Sequence, residues 1–208
     1  MFVYVGQSRS EKLIPRLEAL GFGECTQPYE WPPRRSPCFF DNGAFANFKK
    51  GKAFDGVKYQ KALAKVQASG IKPDFLPVPD LVGGGLKSLE MSLSWVPTVR
   101  ELGPSYLVVQ EGMSYTAVAG VLSQFGGIFV GGASLDWKWE TAHYWVQLAH
   151  CHGLPCHIGR VGTGKRVRMA LASGCDSIDS CVPLMSEENL QAFIRPLGLV
   201  NKRDYKNV

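Results

Sequence analysis

Short apolar runs alternate with longer amphipathic stretches along most of the chain, and this alternation restricts the fold more than any other feature. The longer stretches, such as residues 57–70 and 140–153, carry apolar residues at helical spacing, and several end at a glycine. Strands that are apolar throughout and separated by helices are typical of a parallel sheet covered by helices. Seven strands are predicted in this way: Phe2–Val5, Cys38–Phe40, Phe75–Val78, Tyr106–Val109, Ile128–Val130, Cys156–Ile158 and Ser177–Ile178.

Two architectures fit this pattern, a compact (β/α)8-type TIM barrel and a doubly wound open sheet. No GxGxxG motif follows the first strand, which disfavours a dinucleotide-binding sheet. An eighth strand could lie in the Pro-rich stretch Gly23–Pro37, or it could be missing. The 208 residues contain no repeat and no linker, so we expect one (β/α) barrel domain over residues 1–208, with seven clear units and an irregular or absent eighth.

The composition is that of an ordinary globular protein, with 45% hydrophobic and 20% charged residues and a formal net charge of +5. No apolar run approaches the roughly 20 residues of a membrane-spanning helix. The first residues lack the pattern of a signal peptide, and the six cysteines are too scattered for a disulfide scaffold. We therefore expect a cytoplasmic protein with no membrane partner.

Polar residues and glycines follow the predicted strands at the points where the apolar runs end. In a barrel these positions line the mouth at the carboxyl ends of the strands, where active sites lie. Any one of the acids could instead cap a helix or form a turn. Taken together they predict an active site, formed by Asp41, Asp80, Gln110, Gly131, Gly132, Gly159 and Asp179.

The same segments resemble the successive motifs of the tRNA-guanine transglycosylase superfamily. The matching segments are DNGAF at residues 41–45, VPD ending at Asp80, VVQ ending at Gln110, FVGG ending at Gly132 and VGTGKRVRMALASGCDSIDSC at residues 161–181. They cover roughly residues 37–183 in the order of the family. The chain is most similar to the short phage-type enzymes that place 7-deazaguanine bases in DNA. A phage-encoded protein of this kind would work in the host cytoplasm.

The resemblance implies that guanine is cut from its sugar and replaced by a 7-deazaguanine of the preQ0 or preQ1 type, without a cofactor. Asp179 is implied to be the nucleophile that attacks C1′ and forms a covalent glycosyl intermediate. An ionised carboxylate suits that role because it can stabilise and then trap an oxocarbenium-like centre. Asp41 is implied to be the general acid and base for the departing and incoming bases.

The resemblance also implies which residues hold the base. Asp80 would accept hydrogen bonds from its N–H edge, while Gln110 and the backbone N–H of Gly132 would hold its carbonyl oxygen. Phe45 would stack on the base. The implied base-binding set is Asp80, Gln110, Gly131, Gly132, Phe45 and Gly159.

One departure from the family concerns the nucleic acid. The tRNA enzymes carry a structural zinc site with CxCxxC spacing after the nucleophile, whereas only Cys181 follows Asp179 here. This difference favours DNA over tRNA as the substrate. Three alternatives stay open: a tRNA enzyme, a catalytically silent barrel that binds a base or nucleic acid, and an unrelated barrel enzyme for a phosphorylated metabolite. A homodimer or a partner subunit is also compatible with the sequence.

Two segments are candidates for nucleic-acid contacts. GRVGTGK at residues 159–165 is followed by arginine where a P-loop needs Ser or Thr, so it predicts phosphate binding without nucleotide hydrolysis. SLDWKWE at residues 134–140 places aromatic and basic groups beside the glycine turn, where an extruded nucleotide could be stabilised. A solvated basic helix face and tryptophans packed on the barrel are the competing interpretations. The predicted contacts are Arg160, Lys165, Arg166, Lys138 and Trp137.

A histidine- and cysteine-rich segment and a group of three lysines are further candidate sites. HCHGLPCH at residues 150–157 gathers histidines and cysteines, but its spacing fits no standard zinc site, and we predict no metal. Lys49, Lys50 and Lys52 lie near Asp41 in sequence and could either meet a nucleic-acid backbone or form a solvent-exposed loop.

Overall fold

The structure is a nearly closed barrel of eight parallel strands that alternate with helices. It is a computed structural model that describes residues 1–199; residues 200–208, the end of the expected domain, lie outside the described residues. The strands are β1 (Phe2–Gly6), β2 (Gly23–Thr26), β3 (Cys38–Phe40), β4 (Leu76–Pro77), β5 (Ser105–Val109), β6 (Gly127–Val130), β7 (Cys156–Ile158) and β8 (Ser177–Ser180). The helices are α1 (Ile14–Ala19), α2 (Ala44–Lys49), α3 (Gly56–Ser69), α4 (Leu86–Arg100), α5 (Tyr115–Ala119), α6 (Leu135–Cys151), α7 (Gly164–Ser173) and α8 (Glu187–Ile194).

The strand order is β3-β2-β1-β8-β7-β6-β5-β4, and the paired strands are parallel. The two end strands meet at a short seam, where the Asp74 backbone N–H donates to the Cys38 carbonyl at 2.7 Å and that of Phe40 to the Phe75 carbonyl at 3.3 Å. The seven predicted strands are confirmed, and the barrel is the correct choice between the two architectures. No helix within residues 1–199 is both long and apolar enough to cross a membrane.

The eighth strand is β2, and it lies in the Pro-rich stretch where the sequence pattern was weakest. Its unit is irregular because a loop, rather than a helix, connects β2 to β3. The buried carboxylate of Glu24 holds this loop: it accepts hydrogen bonds from the Arg34 backbone N–H at 2.8 Å, from Gln7 Nε2 at 3.2 Å and from Arg35 Nε at 3.3 Å. In this unit, polar contacts to one buried carboxylate hold the connection on the barrel, a role that the apolar face of a helix would otherwise fill.

Aromatic rings fill the lower part of the barrel interior. The Phe39 and Phe75 rings stack with centroids 4.5 Å apart, and Phe75 stacks in turn on Tyr106 at 4.2 Å. On the other side, Phe129 stacks on His157 at 4.6 Å. Because side chains alternate along a strand, the residue two positions after each ring points inward one level higher, at the mouth. The rings therefore form the floor on which the candidate site lies.

Candidate active site

A cavity of about 290 Å³ opens above this floor, at the carboxyl ends of the strands. Asp41, Asp80 and Asp179 all line it, together with the floor rings Phe39 and Phe129. Asp41 lies two residues beyond the floor ring Phe39, and Asp179 lies two residues beyond Ser177, so both carboxylates point inward one level above the floor, as the alternation along a strand requires. The structure thus brings together the three carboxylates that the strand ends predicted.

Asp179 presents one carboxylate oxygen to the protein and leaves the other unpaired. Its Oδ1 accepts a hydrogen bond from the Arg160 backbone N–H at 3.1 Å and lies 3.0 Å from His157 Nε2. Among residues 1–199 no donor reaches Oδ2. These two contacts on one oxygen fix the orientation of the carboxylate, while the second oxygen remains available to a ligand.

His157 is a site residue that the sequence did not assign. It lies on β7 facing into the barrel, fully buried, with Nδ1 2.8 Å from Ser177 Oγ and Nε2 on Asp179. Burial lowers the pKa of the imidazole, although the Asp179 carboxylate opposes this change. A neutral ring that donates from Nε2 and accepts the Ser177 hydroxyl satisfies both contacts. Residues two apart on a strand point to the same side. Because Gly159 was already predicted to line the mouth, the sequence could have indicated that His157 also faces the interior of the barrel.

Asp41 lies in an environment that favours its protonated form. Burial raises the pKa of this carboxyl to about 7, and the negative charges of Asp179 and Asp80 act in the same direction. Gln27 Nε2 donates to Asp41 Oδ2 at 2.6 Å, which fixes the side chain at the edge of the cavity. Two neighbouring carboxyls with different protonation can act as acid and nucleophile.

Asp80 is held by two side-chain amides, that of Asn42 in the cavity wall and that of Gln110 behind it. Its Oδ1 accepts from Asn42 Nδ2 at 2.8 Å and its Oδ2 from Gln110 Nε2 at 2.9 Å. Burial raises the pKa of Asp80 to about 6, against the opposing effect of these hydrogen bonds and of Arg160. Each oxygen keeps a lone pair that a base N–H could use.

The implied role of Gln110 is wrong in this arrangement. The side chain is fully buried, and its Nε2 donates to both Asp80 and Ser88, each at 2.9 Å. Its Oε1 accepts from the Gly83 backbone N–H. With both amide protons and the oxygen engaged, Gln110 orients Asp80 and has no donor left for a base carbonyl.

The glycine turn after β6 leaves room for the cavity. A Cβ at Gly131 would lie 2.6 Å from a Val108 methyl carbon, and one at Gly132 would lie 2.7 Å from the Trp137 ring. Gly132 also has a φ of 77°, which disfavours any side chain. Its backbone N–H has no acceptor among residues 1–199, so it is free to donate to a ligand.

Gly159 makes room for its neighbours. A Cβ there would lie 2.4 Å from the Phe129 ring and 3.3 Å from Asp179 Oδ1. The next residue, Arg160, has a φ of 59° and is the only non-glycine with positive φ within residues 1–199. This strained backbone is what directs the Arg160 N–H at Asp179, an arrangement that is common at functional sites.

Phe45 lines the cavity, but Arg160 already covers one face of its ring. The centre of the guanidinium lies 3.5 Å from the ring centroid, and Nη2 also donates to the Gly132 carbonyl. A base can therefore stack on that face only if Arg160 moves. Arg160, which the sequence predicted as a nucleic-acid contact, lies in the wall of the cavity.

Lys138 does not lie at the surface, so the expected contact with nucleic acid is wrong. Its side chain is 0% exposed and Nζ donates to the Gly159 carbonyl at 2.7 Å. Burial lowers the pKa of this ammonium to about 7. Trp137 is half-buried, packed over Gly132 and 6.3 Å from the Trp145 ring, which matches the alternative in which the tryptophans pack α6 on the barrel.

The remaining basic residues of the GRVGTGK loop lie at the start of α7. Thr163 caps this helix, since its Oγ1 accepts from the Arg166 backbone N–H at 3.3 Å. Lys165 is exposed and Arg166 half-buried, while Gly164 packs against the backbone of Ala192. The first turn of α7 is thus partly covered, and Lys165 is the expected contact that stays open to solvent.

The histidines and cysteines of HCHGLPCH do not converge. His150 pairs with Asp176 at 2.9 Å on the surface, whereas His157 lies inside the barrel. Among the residues that the structure describes, no cluster of three or more His, Cys, Asp or Glu side chains is suited to hold a metal ion.

The environment of Asp41 predicts a pH-dependent stability. Between about pH 4 and pH 7 the native carboxyl keeps a proton that the unfolded chain has released, so the free energy of unfolding falls as the pH rises through this range. Asp41→Asn removes this loss, and we expect the variant to gain on the order of 3 kcal/mol over wild type at about pH 8 and little at about pH 4. Urea unfolding at both pH values measures the difference.

The control for this prediction is Asp136→Asn, which alters an exposed acid in the first turn of α6. Its stability should follow the wild-type pH profile, apart from a small constant offset. A profile of Asp41→Asn that parallels that of wild type would contradict the raised pKa.

Comparison with known proteins gives no relative from which a role could be carried over. No protein-family model matches the chain. A search of curated proteins finds no similar sequence. The chemistry of the site must therefore be argued from its own residues.

Proposed function

We propose that this protein is a transglycosylase that exchanges guanine for a 7-deazaguanine base in DNA through a covalent aspartyl-glycosyl intermediate. One observation carries the proposal: Asp179 has one oxygen held by two donors and the other free, in a cavity shared with Asp41, whose pKa is raised to about 7. A fixed carboxylate beside a protonated one is the pair that retaining glycosyl transfer requires.

The reaction uses the two carboxyls in sequence. Asp41 donates its proton to the departing guanine while Asp179 Oδ2 attacks C1′, so that the C1′–O bond forms as the C1′–N9 bond breaks. The incoming base then attacks C1′, loses its N9 proton to Asp41 and displaces the carboxylate. Both groups return to their starting states, and the exchange consumes no cofactor.

The cavity suits a single base. Its volume of about 290 Å³ lies just below the range of roughly 300–1,000 Å³ for drug-sized ligands, as expected for a small planar molecule. Asp80 offers lone pairs to the N–H edge of the base, and the free Gly132 N–H offers a donor to its carbonyl oxygen. In this proposal Gln110 acts by holding Asp80. The choice of DNA over tRNA rests on the resemblance of the motifs to those of the short phage-type enzymes.

His157 is expected to be a positioning residue for Asp179. His157→Gln keeps one donor near Asp179 but loses the ring that stacks on Phe129, so we expect kcat to fall about 10- to 100-fold with a small change in KM. The pH profile of kcat should change as well, because the imidazole no longer fixes the charge of the nucleophile. A purely structural role would lower the yield of folded protein and leave the pH profile unaltered.

The direct test is incorporation of labelled base. Purified protein is incubated with DNA or tRNA and with labelled guanine or 7-deazaguanines, and the nucleosides are analysed by mass spectrometry. The proposal expects label in DNA. Incorporation into tRNA alone would contradict the choice of nucleic acid, and tight DNA binding without incorporation or a covalent adduct would favour a silent barrel.

A further inference from the structure

A second cavity, of about 560 Å³, lies between α2 and α3 and adjoins the active-site cavity. The two cavities share Gln27, Asn42 and Ala46 as lining residues, so a ligand that occupies one lies next to the other. We call this second cavity the lysine groove, because five lysines line it. They are Lys50, Lys52, Lys58, Lys61 and Lys65.

The charge of the lysine groove is largely uncompensated. Lys58 pairs with Asp55 at 3.2 Å. Among residues 1–199, no acid lies within ion-pair distance of the other four lysines. Several cations on facing walls create a positive potential that attracts an extended anion more strongly than a single exposed lysine would.

Two buried polar atoms point to a ligand at the inner end of the groove. The Tyr59 side chain is 2% exposed, lines the groove, and its hydroxyl has no hydrogen-bond partner among the described residues. Gln27 Oε1 is likewise buried and unpaired, although Nε2 of the same amide donates to Asp41. A buried hydroxyl and a buried amide oxygen without partners are costly, and a bound ligand would satisfy both.

We propose that the lysine groove binds one strand of nucleic acid beside the nucleotide that reacts at Asp179. The lysines contact the phosphodiester backbone, and Tyr59 and Gln27 contact the sugar or base edge next to Asp41. Tyr29, which lines the groove and is 73% exposed, provides a ring on which a neighbouring base can stack. A basic groove combined with an exposed aromatic ring is the usual design of a single-strand site. This inference rests on the proposed function for the position of the reacting nucleotide.

The test measures binding apart from catalysis. A fluorescein-labelled single-stranded DNA 12-mer is titrated with wild type, Lys61→Gln/Lys65→Gln and Tyr59→Phe, and anisotropy is followed over a range of NaCl concentrations. We expect the double variant to bind roughly 10-fold or more weakly at 0.1 M salt, with a salt slope smaller by about 1.4, since each lost phosphate contact contributes about 0.7. Tyr59→Phe should weaken binding about 3- to 10-fold without changing the slope.

The matched control removes the same charge at the opposite end of the barrel. Lys72→Gln/Arg100→Gln alters two exposed residues there and should bind the 12-mer with the wild-type slope. If the α3 variant folds poorly by circular dichroism, Lys50→Gln/Lys52→Gln tests the other wall of the groove. Equal slopes for groove variants and control would overturn the inference. Displacement of the 12-mer by inorganic phosphate at constant ionic strength would also overturn it, in favour of a small phosphorylated ligand.

Base incorporation by the same proteins separates the two proposals. Weaker binding by the groove variants, with no exchange by wild type, would support the groove and contradict the transglycosylase. Exchange by wild type together with full binding by the groove variants would support the transglycosylase and contradict the groove.

Discussion

Asp179→Asn is expected to abolish base exchange and leave the barrel folded. An asparagine Oδ1 can still accept from the Arg160 backbone N–H and from His157 Nε2, so the local hydrogen bonds persist. The amide cannot form the ester to C1′, and the covalent route is closed. We expect kcat to fall by about three orders of magnitude or more, as is typical when a nucleophile is removed.

Two measurements check this expectation. Label incorporation gives the rate, and intact-protein mass spectrometry after mixing with DNA detects the covalent adduct in wild type and its loss in Asp179→Asn. The matched control is Asp136→Asn, which changes an exposed acid away from the cavity and should keep both activity and adduct. Comparable exchange by Asp179→Asn would assign the nucleophile to another group.

Arg35→Met is expected to be among the most destabilising single substitutions in this chain. Arg35 and Glu24 form an ion pair at 3.3 Å, and the side chains of both are 0% exposed. Removal of the arginine leaves a buried carboxylate without its counter-charge, which costs about 3–5 kcal/mol in proteins where such pairs have been broken. Urea unfolding followed by circular dichroism measures the loss.

The chain offers a close control for this substitution. Arg34→Met changes the adjacent arginine, whose side chain is exposed and whose backbone N–H alone contacts Glu24, so we expect a change of less than about 0.5 kcal/mol. The double variant Glu24→Gln/Arg35→Met should recover part of the stability, because no unpaired charge remains. Equal stabilities of the two single variants would show that Glu24 is stabilised without Arg35.

The pattern of apolar runs predicted the barrel because strands buried on both faces differ clearly from amphipathic helices. It gave no clear signal for β2, whose four residues include the charged Glu24 and precede a loop in place of a helix. A strand that is held by a buried ion pair lacks the apolar pattern that marks the others. Gln27 directly follows this strand. The sequence did not indicate it as a site residue because the strand itself was not recognised.

The sequence predicted the site residues that lie at the ends of strands. It did not predict roles that depend on the direction in which a helical side chain points. Asp41 and Asp80 follow β3 and β4, Asp179 lies near the carboxyl end of β8, and the three converge on the cavity. Lys138 was taken for a surface residue, although it lies in helical phase with Ala142, Trp145 and Ala149, which are buried on the same face of α6. That periodicity could have indicated a buried Lys138. The flanking tryptophans instead suggested a surface that contacts nucleic acid.

The aromatic floor has a consequence for the depth of the cavity. Phe129 closes it from below and stacks on His157, so a smaller side chain there, such as leucine, would lower the floor beneath the carboxylates. The size of the base that the cavity accepts would then depend on a residue on the level below the three carboxylates. Because His157 contacts both Phe129 and Asp179, such a change would couple the depth of the cavity to the orientation of the proposed nucleophile.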